Sequence, residues 1–141
     1  MNMRILAFAC QMLLGAFWLW AGVAKIVGHA AFAAVLEGHG SLNAGGIAVA
    51  LTIPYVEALL GIAWIATTRT KTKKWLCAAS VCLLLMFVAY ILTVPQAQLS
   101  KFGCGCGAPL TQQNGPNVMW YVLWNSCIAA IHVLAVALLA R

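Results

Sequence analysis

Two cysteines separated by a single glycine, Cys104-Gly105-Cys106, are the residues of this chain best suited to chemistry. Thiols this close can cycle between dithiol and disulfide when an oxidant reaches them, and they also suit a soft ion such as Cu(I). Gly103, Gly105 and Gly107 surround the pair and lift the Cβ restrictions on the tight turn that such a ring needs. As a staple the pair is weak, because closing a three-residue loop gives roughly 1.6 kcal/mol against about 3 for fifteen residues, before strain is subtracted. Strained, exposed disulfides have the higher potentials typical of exchanging ones. Redox exchange therefore ranks first. Soft-metal binding by Cys104, Cys106, His29 and His39, or an incidental structural pair, stays open beside it.

The remaining cysteines, Cys10, Cys77, Cys82 and Cys127, fall in apolar stretches where a free thiol behaves as a small hydrophobe. Cys127 lies about ten residues into the last such stretch, which makes it the candidate resolving thiol beneath the pair. Glu57 is one of only two acidic residues, and it falls near the middle of an apolar block, about 15 Å from the block's outer end. A carboxylate at that depth must be paired or protonated. Lys25 is the nearest candidate partner. The pair would either fix two helices together or hold a proton-handling carboxyl near a bound quinone or substrate. Tyr121, Asn125, Ile128 and His132 recur at i, i+4, i+7 and i+11, a polar stripe that predicts a bundle-facing surface with His132 as a candidate relay.

These residues sit in a chain that only lipid can solvate. Of 141 residues, 65% are hydrophobic and 7% charged, too few charges to cover a globule in water. Four apolar blocks, about 5–24, 47–66, 75–94 and 118–140, are long enough to cross a hydrocarbon core of about 30 Å. Alternating ten-residue strands are missing, so the expected fold is all-α: one membrane domain over 1–141, a bundle of four transmembrane helices. The first block is too long for a signal-peptide core and is read as a retained span. Pro95 ends the third block, whereas Pro54 either kinks the second or marks its first turn. Trp75 and Trp120 read as interfacial anchors, and the stripe Trp120, Trp124, Cys127 and Ile131 as core or lipid-facing bulk.

Charge gives the expected orientation. Arg69, Lys71, Lys73 and Lys74 form a basic loop between blocks two and three, and with Arg4 and Arg141 they put six of the eight basic residues on one side. The positive-inside rule makes that side cytoplasmic, with both termini. The segments 25–46 and 95–117 are then external loops, the first with a short interfacial helix over Ala30 to Glu37, the second with the cysteine pair. The net charge of +6 is accounted for by topology and anionic lipid, so nucleic acid is not an expected partner.

Three stretches resemble a known family. Phe17-Trp18-Leu19-Trp20-Ala21-Gly22-Val23-Ala24-Lys25-Ile26 resembles the first-helix ending of DoxX-like and MauE proteins, and Pro54-Tyr55-Val56-Glu57 resembles their proline and glutamate on helix two. Cys104-Gly105-Cys106-Gly107 resembles the cysteine-rich loop of the MauE branch. The resemblance implies a multi-pass protein of the bacterial inner membrane that supports disulfide formation in a periplasmic enzyme of methylamine utilisation. Quinone-linked oxidation occurs among DoxX-like proteins, so a quinone is the electron acceptor that the resemblance suggests. The expected function is a membrane thiol-disulfide redox protein whose site comprises Cys104, Cys106, Glu57 and Lys25. Its expected partners are the bilayer and a periplasmic protein substrate or the subunits of a membrane complex. A structural subunit and a copper-handling factor are the alternatives.

Overall fold

The computed structural model describes residues 3–40, 44–102 and 118–139, and Cys104 and Cys106 lie outside these described residues. Among the described residues six helices appear in chain order: α1 (Met3–Val27), α2 (His29–Gly38), α3 (Ala44–Ala66), α4 (Thr70–Thr93), α5 (Gln96–Phe102) and α6 (Val118–Leu139). The expected all-α class holds, with no strand among the described residues. Four stretches, Ile5–Val27, Ile47–Ala66, Lys71–Thr93 and Val118–Ala137, are long and apolar enough to cross a membrane. Large apolar side chains cover the outside of these helices, including Leu13, Leu59, Leu85 and Leu92, a surface that suits acyl chains and not water. Trp75, Trp120, Trp124 and Ile131 share that exposure.

The four long helices form two antiparallel pairs. Where α1 meets α3, a Cβ on Gly22 would fall on the backbone of Ala58 and Pro54, and one on Gly61 on the backbone of Leu19. Only glycine permits this approach, the device by which small residues draw membrane helices together. In α4 and α6, Leu83 and Leu84 share a core with Ile128, and Ile91 shares one with Tyr121. Trp18 and Trp64 complete the interior at 1% and 0% exposure, so the centre of the bundle is filled by two indoles from different helices.

Three segments differ from the reading by hydropathy. The basic stretch is not a loop: α4 starts at Thr70, so Lys71, Lys73 and Lys74 occupy its first turns. Lysine is a good helix former, and a helix need not end where hydrocarbon does. The segment after Pro95 contains α5, whose first turn is set by Pro95 O accepting the N–H groups of Gln98 and Leu99 at 2.9 and 3.1 Å. Leu99, fully buried beside Ile91 and Val94, holds it against the bundle. Pro54 lies inside α3 and does not start it, so Glu57 is about 20 Å along the helix from Ala44.

Between α1 and α3 the expected short helix is α2, one residue longer at each end than Ala30 to Glu37. It buries Phe32, Val35 and Leu36, and Gly40, at φ +69°, supplies the left-handed turn beyond its end. Because α3 and α4 are joined by a short connection, the C-terminal end of α1, both short helices and the N-terminal end of α6 gather at the opposite end of the bundle.

Candidate functional site

Lys25 and Glu57 form a buried ion pair at that gathered end. Lys25 Nζ lies 2.7 Å from both carboxylate oxygens of Glu57, and the residues are 6% and 1% exposed. The helices bring them together through the Gly22–Ala58 contact, which lets α1 and α3 approach one turn away. The lysine also faces two rings, with Nζ 5.8 Å from the centroid of Phe32 and 5.7 Å from that of Phe87. Two chelating oxygens and two ring faces thus replace the hydration that the ammonium loses on burial. Phe32 comes from α2, so the short helix is one wall of the charged site.

The polar stripe of α6 faces inward, with Tyr121, Asn125, Ile128 and His132 all buried. Asn125 Nδ2 donates to Tyr121 O at 2.8 Å. His132 is bound at both ring nitrogens: Trp18 Nε1–H donates to Nε2 at 2.8 Å, and Nδ1 lies 2.8 Å from Ile128 O. Because indole N–H can only donate, Nε2 must accept, which assigns the proton to Nδ1 and leaves the imidazole neutral. Trp18 and Trp64 pack edge-on against this ring at centroid distances of 6.0 and 5.7 Å. About two turns from Trp18 and from His132, toward the same end, stand Lys25 and Asn125.

The His132 bond yields a measurable coupling. His132→Phe leaves the buried Trp18 N–H without an acceptor and is expected to cost about 1–3 kcal/mol, and Trp18→Phe a similar amount. The double variant should lose clearly less than the two losses together in thermal unfolding of the purified protein. Additive losses would show that the two side chains do not depend on each other.

Other polar contacts were not legible from residue type. Gln11 Nε2 donates to Trp64 O and Thr67 O at 2.7 and 2.8 Å, tying α1 to the end of α3. Trp64 Nε1 donates to Ser80 Oγ at 3.0 Å. His39 Nδ1 and Tyr90 Oη are 2.8 Å apart, joining the end of α2 to α4. These contacts occupy His39, while His29 stands exposed at the start of α2. Among the described residues no three His, Cys, Asp or Glu side chains are grouped to hold a metal ion. Cys127 is exposed on α6, off the buried stripe, and no hydrogen bond joins His132 to Glu57 among the described residues.

A family model described as methylamine utilisation protein MauE matches residues 3–140, which takes in all six helices and the cysteine pair. The chain belongs to the MauE family. Membership and the four apolar helices together describe a multi-pass membrane protein associated with methylamine utilisation. No match was found among curated proteins or among solved structures. In this MauE-family chain the family match therefore encloses both the ion pair and Cys104-Gly105-Cys106, while the wider DoxX-like likeness remains one of short motifs.

Proposed function

We propose that this MauE-family protein is a membrane thiol-disulfide redox protein that supports disulfide formation in an exported enzyme. The observation that carries the reading is the anchoring of the chain on either side of the cysteine pair. α5 ends at Phe102 and α6 begins at Val118, and Gln96 Oε1 accepts the Val118 N–H at 3.2 Å. Both anchors belong to the end of the bundle that holds the Lys25–Glu57 pair, so the segment that carries the thiols leaves and rejoins the bundle on the side of that charged site.

In the proposed cycle a thiolate of the exported protein attacks the Cys104–Cys106 disulfide, giving a mixed disulfide and one free thiol. The second substrate thiolate resolves it, leaving a substrate disulfide and the reduced pair. Reoxidation sends two electrons and two protons to a membrane acceptor of the quinone class, which becomes a quinol. Glu57, held by Lys25, is the carboxylate assigned to proton handling during reoxidation; Cys127 and His132 are assigned no step. The pair faces the periplasm of an inner membrane, and both termini and the basic end of α4 face the cytoplasm, as the charge bias favours.

Thiol trapping tests the reading in intact cells. An impermeant alkylating reagent is expected to modify Cys104 and Cys106 only after a reductant has been added from outside. Modification without reductant, or only after the membrane is opened, would overturn the external disulfide and the cycle with it.

A further inference from the structure

The other end of the bundle is an electrostatic imbalance. The only acidic residues of the chain are Glu37 and Glu57, on α2 and in the buried pair, so no carboxylate side chain stands near the α3–α4 turn. That turn and the first turns of α4 carry Arg69, Lys71 and Lys74, all exposed, and Lys73, which is only 8% exposed. α4 starts here without a side-chain cap at Arg69, and its first intrahelical bond is Lys73 N–H to Arg69 O at 3.1 Å. The N–H groups before Lys73 thus lack helical acceptors, and the positive end of the helix dipole coincides with four cations. Nothing in the chain's own side chains offsets that charge.

Lys73 gives the turn a second feature. It heads the inward stripe Lys73, Cys77, Ser80 and Leu84, all buried, so its stem lies beneath the turn and not in solvent. Side chains on a helix lean toward its N-terminus, which for Lys73 is the direction of the free N–H groups. Among the described residues its ammonium has neither an ion pair nor a hydrogen bond. Trp75, 71% exposed one residue beyond Lys74, adds an indole of the kind favoured at lipid headgroups.

We propose that the α3–α4 turn binds the phosphate of one anionic phospholipid, with Lys73 and the first N–H groups of α4 on the phosphate oxygens and Arg69 beside them. An anionic headgroup fits better than a zwitterionic one, whose own ammonium would be repelled by Arg69, Lys71 and Lys74. The site is separate from the thiol chemistry and does not depend on it.

The test compares the full-length protein in phosphatidylcholine discs with and without phosphatidylglycerol, reading retained lipid by native mass spectrometry and unfolding temperature. The wild type is expected to keep one phosphatidylglycerol and to unfold at a higher temperature in its presence. Lys73→Met, which preserves the buried stem, should weaken retention by about tenfold, the loss of one charge-assisted hydrogen bond. Arg69→Gln, at an exposed position, is the second variant and should weaken it several-fold. Lys71→Gln/Lys74→Gln should keep most of the retention. If that pair abolishes retention and Lys73→Met does not, the attraction is a diffuse surface effect and the site is refuted. Inorganic phosphate added to phosphatidylcholine discs should not reproduce the stabilisation; equal stabilisation would assign the turn to a free anion and overturn the lipid.

Discussion

Glu57→Leu is expected to destabilise the bundle by about 3–5 kcal/mol, the cost of leaving a buried lysine without its counter-charge. Lys25 cannot escape this by reaching water, since it is 6% exposed and lies between Phe32 and Phe87. Lys25→Met should cost a similar amount by stranding the carboxylate. The double variant Lys25→Met/Glu57→Leu removes both charges and fills the same volume with apolar atoms, so most of the stability should return. Thermal unfolding of the three variants in lipid discs measures this. Single losses that simply add in the double variant would show that the pair contributes nothing as a pair. Restored folding also separates the two roles of the site, because a refolded double variant that no longer oxidises its partner would show that Glu57 is needed for proton handling beyond holding α1 and α3 together.

The second large effect concerns the thiols. Cys104→Ser and Cys106→Ser should each abolish oxidation of the exported partner, so that the partner accumulates with free thiols while the variant remains in the membrane at wild-type level. A lone thiol cannot form the disulfide that the partner's thiolate attacks, so neither variant should carry the exchange. Partner thiols are counted by alkylation and mass shift. Full partner oxidation in both variants would remove Cys104 and Cys106 from the reaction. Loss of bound copper with partner oxidation intact would favour soft-metal handling.

Much of the architecture is legible in the sequence because lipid imposes a simple rule: each span is about 20 apolar residues long. The inward face of α6 is legible for a related reason, as Tyr121, Asn125 and His132 are polar at helical spacing and can be satisfied only inside the bundle. Lys25 and Glu57 could be matched because a membrane carboxylate has few alternatives. By contrast α5 escaped notice, since its seven residues are largely polar and Leu99 is buried against the bundle. The Trp18–His132 bond spans 114 residues of sequence, and Gln11 reaches backbone carbonyls that carry no residue signature. Such partners depend on how far one helix is slid and rotated against another, which no local pattern records.

The glycine-lined approach of α1 to α3, with Lys25 on one helix and Glu57 on the other, has a consequence for biogenesis. Lys25 leaves the ribosome 32 residues ahead of its counter-charge, roughly 2–6 s at synthesis rates of about 5–20 residues per second. For that interval α1 carries an uncompensated ammonium at its trailing end, and full release into acyl chains is unfavourable. Helix α1 should therefore wait beside the insertion machinery until α3 emerges, and the two should enter the bilayer as one hairpin, with α2 folding over the neutralised pair afterwards.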